Sequence, residues 1–202
     1  MARRDEADVR EAILNAARAE FMTEGFAAAS VGHIARSAGV STKTIYRFYE
    51  TKTDILADVI SSFMALMLPG LDTYVVARAE DLAPELVRLL TELAGYGLSA
   101  PGLAANRLAT TEMMRVPEMV TAYYREGHEK IIAAVGRWLA RQCEAGWLRL
   151  DDPRRAAAML LSMVFADLTR YAMLSGEPPT DAEIAAWIGA GVEIFLKGAV
   201  PR

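Results

Sequence analysis

The stretch from Ser30 to Lys52, "SVGHIARSAGVSTKTIYRFYETK", constrains the fold more than any other part of the chain. With Val31 as the first position of a helix-turn-helix, it puts Ile34, Ala38, Val40, Ile45 and Phe48 where two crossing helices need apolar side chains. Ala35 falls where the helices cross closely, so a larger side chain would push them apart. Gly39 falls at the turn, where a positive φ is easiest without a Cβ. Ser30 and Ser41 stand where each helix needs an N-cap, offering a hydroxyl to otherwise unpaired amides. A plain helical hairpin meets the apolar spacing fairly often, but seldom the small residue, the glycine and both caps together.

Once the buried face is assigned, spacing leaves Thr42, Lys43, Tyr46, Arg47 and Glu50 on the outward face of the second helix. That helix of a helix-turn-helix enters the major groove, where Thr42 and Lys43 near its N-terminus reach base edges and Tyr46 and Arg47 reach bases or phosphates. Lys52 opens the next helix, where its charge and the free backbone amides together suit a phosphate. His33 on the first helix and Arg3 and Arg4 on the N-terminal arm are further candidates for backbone contact. The segment carries Arg36, Lys43, Arg47 and Lys52 against the single acid Glu50, in a chain of net charge -4. Overall acidity does not oppose DNA binding, since counterion release depends on local basic charge. The acidic remainder discourages indiscriminate binding.

The rest of the chain reads as helix. At 202 residues and 53% hydrophobic it can bury a sizeable core. Alanine, leucine and methionine are plentiful, β-branched alternation is scarce, and no phosphate loop, dinucleotide fingerprint or H-E-x-x-H motif appears, so neither an enzyme nor a cofactor is expected. One cysteine, Cys143, excludes an internal disulfide framework and is expected as a buried hydrophobe, and two distant histidines give no zinc spacing. With no signal peptide and no uninterrupted apolar run of about 18 residues, a cytoplasmic protein without membrane contact is expected.

Punctuation divides the chain into about nine helices, in a three-helix head and a larger helical body. The first begins near Asp8 and stops at Gly25; Thr51 caps one that ends at Pro69-Gly70; Pro84 lies in the first turn of one reaching about Leu98. Ser99 to Gly102 reads as a loop, a helix follows to about Arg115, and after Val116-Pro117 a long helix runs from Glu118 to about Ala145. Asp152-Pro153 starts a helix to about Ser175, and Thr180 with Glu183 forms a capping box for the last, roughly 181 to 198.

The residues "AGVSTKTIYRFYETKTDIL" resemble the signature of the tetracycline-repressor (TetR) family, with the match covering residues 8 to 68. That resemblance implies a DNA-binding domain over 1–52, and a ligand-binding and dimerisation domain over 53–202 whose first part, 53–68, is a connecting helix. It also implies a ligand-released transcriptional repressor. Residue by residue, Tyr46 and Lys52 match the family's phosphate-contacting tyrosine and lysine, and Ser30 its hydroxyl residue at the start of helix two. Lys43 stands where many relatives have a small residue, and Tyr49 where many have a phenylalanine, which leaves the operator sequence open. The body resembles the AefR-like C-terminal subgroup through "VPEMVTAYYREGHEKI" and "WLARQCEAGWLRLDDPRRAA".

Read by itself, the body gathers methionines and aromatics, among them Met113, Met114, Met119, Tyr123, Trp138, Met159 and Met163. They either line a cavity for a small hydrophobic or aromatic effector or simply fill a core. In the first case Met113, Met119, Tyr123 and Met163 line it and His128 and Arg170 orient the ligand, unless Arg170 pairs with Asp167. The last two helices have broad apolar surfaces, with small residues at Ala185, Gly189 and Gly191, and Ile188 among them. A homodimer through this pair is expected, setting two recognition helices about 34 to 36 Å apart on a near-palindromic double-stranded DNA operator. Control by a protein partner instead of a small molecule is the other reading.

Overall fold

The computed structural model describes residues 5–113 and 121–199, and these are all-α with connecting turns. The helices are α1 (Glu6–Ala28), α2 (Val31–Ala38), α3 (Thr42–Phe48), α4 (Lys52–Met67), α5 (Leu82–Gly97), α6 (Ala100–Met113), α7 (Glu129–Glu144), α8 (Pro153–Ser175) and α9 (Asp181–Ala199). Short 3-10 segments, Leu68–Thr73 and Ala79–Asp81, precede α5, and a π-helical turn, Tyr124–His128, precedes α7. The chain divides into two compact units. One comprises the chain up to Met64 with Ala104–His128, the other Ala65–Leu103 with the chain from Glu129 on. The division does not fall at residue 52, because Ile55 and Leu56 of α4 are buried in the same core as α1 to α3.

In the first unit, Ile13, Ala17 and Phe21 recur at helical spacing along α1 and meet Ile34, Ala35, Ala38, Ile45 and Ile55. Full burial of each such large apolar side chain is worth about 1.5–3 kcal/mol. Helical hydrogen bonding continues past Gly25, but that residue sits at φ 78°, ψ 163°, so the chain bends sharply there. A glycine takes this backbone without strain, and the bend returns Phe26 to within 5.4 Å of the Phe21 ring. Gly39, at φ 69°, ψ 35°, ends α2, and the Val40 amide reaches back to the Ala35 carbonyl at 3.0 Å, a left-handed helix termination. In the other segment of this unit, Gly127 is buried in the π-helical turn, and a Cβ there would stand 3.4 Å from Ile60 Cγ2 of α4.

The second unit is organised around α5 and α7. Leu82, Leu86, Leu89, Leu90 and Leu93 form the inner stripe of α5, and Ile132, Val135, Trp138 and Leu139 that of α7. Trp138 is fully buried, and its indole donates to the Tyr74 carbonyl at 2.7 Å, which satisfies the one polar group it takes into the core. α7 and α8 approach closely at Gly136, where a Cβ would lie 3.0 Å from Arg154 Cα, and α8 and α9 at Gly191, where it would lie 2.7 Å from Val164 Cγ2. Asp152 caps α8 by accepting from the Arg155 amide at 2.9 Å, and Thr180 and Glu183 form the expected capping box on α9.

Several expectations need correction. Ala100, Pro101 and Gly102 are the first turn of α6 and not a loop: Ser99 caps them by accepting from the Gly102 amide at 3.2 Å, and a proline is tolerated in a first turn. The helix expected from Glu118 is interrupted by the π-helical turn, and its first residues lie outside the described ones. Cys143 is only half-buried. By length and a mean hydropathy of 1.4, α8 passes as a membrane span, yet it packs between α7 and α9 and its apolar excess lies on its exposed face.

Ile188 of α9 is fully buried within the chain and is unavailable to a second subunit. Ile188→Ala should therefore lower the unfolding free energy by about 2–5 kcal/mol in a denaturant titration, the usual cost of an emptied core site, without producing monomers.

Candidate nucleic-acid interface

α3 has only 7 residues, and its position is set by one fully buried side chain and by its two ends. Ile45 points into the head's core at 0% exposure. At the start, Ser41 accepts from the Thr44 amide at 3.0 Å and lies 2.8 Å from the Thr44 hydroxyl. With Ile45 inward, Thr42, Lys43, Tyr46 and Arg47 are all exposed, Tyr46 by 56%. Sequence spacing and structure thus agree on the outward face. Arg47 lies 3.3 Å from Glu6 of α1, with its guanidinium 4.9 Å from the Phe48 ring centre, so in the free protein an acid partly offsets its charge. His33 Nδ1 is 3.5 Å from Glu20, whose carboxylate also accepts from the Ser30 amide at 3.1 Å. Ser30 occupies the N-cap position of α2, but its hydroxyl makes no capping bond. Arg3 and Arg4 lie outside the described residues.

In the free protein Lys52 turns to the end of α1. Its ammonium donates to the carbonyls of Phe26 at 2.6 Å, Ala27 at 3.1 Å and Ala29 at 2.9 Å, and stands 4.7 Å from the Phe26 ring centre. A lysine has three such protons, and the end of α1 supplies three acceptors, as expected where the negative end of a helix meets a cation. A phosphate would have to displace one of them. Lys52 is a clamp on the end of α1.

The far end of α3 is held by residues that sequence spacing did not single out. Tyr49, the C-cap, turns its ring into the core, and its hydroxyl donates to Asp58 Oδ2 on α4 at 2.6 Å. Arg10 of α1 grips the same carboxylate with two nitrogens, Nε donating to Oδ2 at 2.8 Å and Nη2 to Oδ1. Burial first, and then the bond to Asp58, raise the Tyr49 pKa well above its usual range, so the phenol remains a donor. Arg10 and Asp58 are 48 positions apart, and only the unusual tyrosine at position 49 hinted at a polar partner.

Residues 13–59 match the family model for bacterial regulatory proteins of the tetR family, and residues 84–198 that for the AefR-like transcriptional repressor C-terminal domain. The chain belongs to the TetR family of transcriptional regulators. This TetR-family chain is similar to an uncharacterised HTH-type transcriptional regulator of Mycobacterium bovis, 28% identical over 157 residues that cover 78% of each. It also resembles the flavonoid-responsive regulator FrrA, with a TM-score of 0.77 and 27% identity over 97% of this chain and 99% of that one. A TetR regulator from Agrobacterium tumefaciens shares the fold, with a TM-score of 0.79 and 22% identity over 96% and 95% of the two chains.

Among the described residues, those expected to line an effector cavity are divided between the two units. Tyr123 and His128 belong to the first: the Tyr123 hydroxyl donates to Asn106 Oδ1, and exposed His128 rests 5.5 Å from the Tyr124 ring. Met163 and Arg170 belong to the second. Met163 is exposed beside α9, where the Trp187 indole donates to its carbonyl at 3.2 Å, and Arg170 pairs with Asp167 at 3.2 Å. Met114 and Met119 lie outside the described residues, as does the Met113 side chain. Of the expected interface residues, Ala185 is exposed, while Gly189 is half-buried at an apolar groove of about 450 Å³ lined by Ala83, Val87, Val192 and Leu196.

If Lys52 is a clamp, Lys52→Met should destabilise the protein by about 1–3 kcal/mol, since charged hydrogen bonds to three carbonyls are lost while the stem is kept. The salt dependence of DNA binding should stay unchanged. A slope smaller by about 1 would instead mark a lost phosphate contact.

Proposed function

We propose that this TetR-family protein is a homodimeric repressor that reads a near-palindromic operator with α3 and is released from it by a small hydrophobic or aromatic molecule. The observation that carries the DNA half of this reading is the outward set Thr42, Lys43, Tyr46 and Arg47 on a helix fixed at both ends. Thr42 and Lys43, at its N-terminal end, are suited to base edges, and Tyr46 and Arg47 to bases and phosphates. In this reading His33, Ser30 and Ser41 support contacts to the DNA backbone.

Dimerisation through α8 and α9 is supported by what those helices leave uncovered. Leu174 is 82% exposed, Met159 66%, Tyr171 65%, Ile194 63% and Trp187 42%, far more apolar surface than two core helices need to show. Ala185 adds a small residue to that exposed set. The effector class is supported by the apolar character of the body and by the likeness to FrrA, a regulator named as flavonoid-responsive. Tyr123 with Asn106 offers a half-buried polar pair for a phenolic group, and burial raises the Tyr123 pKa, keeping it a donor.

Duplex DNA selected by the protein from a random pool should contain two symmetric half-sites with centres about 34–36 Å apart. Lys43→Ala should change base preference at one position per half-site, by about 1–3 kcal/mol, whereas Tyr46→Phe should weaken every sequence alike. Leu174→Glu and Ile194→Glu change exposed residues and should fold, but light scattering should report monomers at micromolar concentration, with operator affinity at least tenfold lower. Dimers that persist in both would place the interface elsewhere. Flavonoid-like compounds should release operator DNA at the concentrations where they quench tryptophan emission, and a compound that binds both states equally tightly cannot do so. If a broad aromatic panel neither binds nor releases DNA, control by a protein partner becomes the reading.

A further inference from the structure

We infer that Tyr49, Asp58 and Arg10 are positioning residues for operator recognition: they set the affinity of α3 for DNA without touching it. The inference rests on the reading of α3 as the DNA-reading helix and adds to it the group that fixes its far end. Three elements meet at one carboxylate. Tyr49 brings the C-terminal end of α3, Asp58 stands in the second turn of α4, and Arg10 comes from α1. The Asp58 side chain is 16% exposed, so water competes weakly for it, and the Arg10 guanidinium holds both of its oxygens.

The need for such a tie follows from the size of α3. It has 7 residues and buries only Ile45 fully, with Phe48 part-buried against the same core, so few side chains resist a pivot about Ile45. Ser41 prevents this at the N-terminal end. At the other end the aromatic ring of Tyr49 fills space, as a phenylalanine ring would, but a ring against apolar neighbours slides more easily than a phenol held at 2.6 Å by a clamped carboxylate. The hydroxyl therefore turns a packed end into a fixed one. Base readout depends on hydrogen bonds that fail when the helix shifts by about 1 Å, so a pivoting helix loses affinity even with every DNA-facing side chain intact. Asp58 also joins α3 to α4, so the end of the reading helix and the first turns of α4 move together.

Tyr49→Phe isolates the hydroxyl, since the ring and its burial are kept. Using the full chain and an operator selected by the wild type, Tyr49→Phe should raise the operator Kd about 5- to 30-fold. The salt slope and base preference should not change, because no phosphate or base contact is removed. Arg10→Met should act in the same direction, and the pair together should cost less than the product of the two, because both work through Asp58. A control for simple destabilisation is Ile13→Val, which thins the same core and should lower the Tm while leaving Kd within about twofold. If Tyr49→Phe binds the operator within twofold of wild type while Lys43→Ala does not, the inference is overturned and the DNA reading stands. Equal loss of affinity in Ile13→Val at matched Tm would likewise overturn it, reducing the network to a contribution to stability. A wild type that selects no DNA would remove the underlying reading and the inference with it.

Discussion

A helix of 7 residues does not persist in water by itself, because the cost of its first turn is not recovered over so few hydrogen bonds. α3 therefore depends on what holds it, chiefly the Ser41 cap, the Ile45 plug with Phe48 beside it, and the Tyr49 phenol. Everything else in the head serves those three points. Gly25 bends the chain so that Phe26 packs on Phe21 and the carbonyls that follow meet Lys52. Ala35 lets α2 cross close by, and α4 contributes Ile55 and Leu56 to the same core and Asp58 to the far end of α3. The outward side chains can be few and flexible because the backbone that carries them is fixed.

Charge in the head follows the same economy. The chain is acidic overall, and in the free protein Glu6 faces Arg47 while Glu20 faces His33. The Arg47–Glu6 pair is largely exposed and so contributes little to stability, whereas Glu20 is mostly covered and also accepts from the Ser30 amide. Glu6 and Glu20 thus offset positive charge on the head of the free protein. Lys43 and Tyr46 are turned outward into solvent.

In the body, α8 and α9 each carry two apolar faces with separate duties. The inner faces, with Leu160, Val164, Ile188 and Val192, close the core of the unit. The outer faces, with Met159, Tyr171, Leu174 and Ile194, remain in solvent in the single chain. Close approach at Gly191 makes the inner packing tight, and the Trp187 indole bonded to the Met163 carbonyl fixes one helix against the other, so the outer surface is presented on a rigid pair.

The sequence by itself determined whatever depends on near neighbours. The spacing of Ile34, Ala38 and Ile45, the turn at Gly39, the caps at Ser41, Asp152 and Thr180, and the outward set on α3 are set within a few residues by helical period and by which backbone groups lack partners. The family signature lies in the same local stretch. Tertiary structure alone decided the rest. The bend at Gly25 brings three carbonyls to the Lys52 ammonium, a meeting that local spacing does not show. Tyr49, Asp58 and Arg10 meet only after α1, α3 and α4 have packed, and Ile188 and Ile194 look alike in sequence until α8 covers one and leaves the other bare. Periodicity gives a helix its apolar side chains but not the partner that buries each one, because that choice is made by elements far apart in the chain.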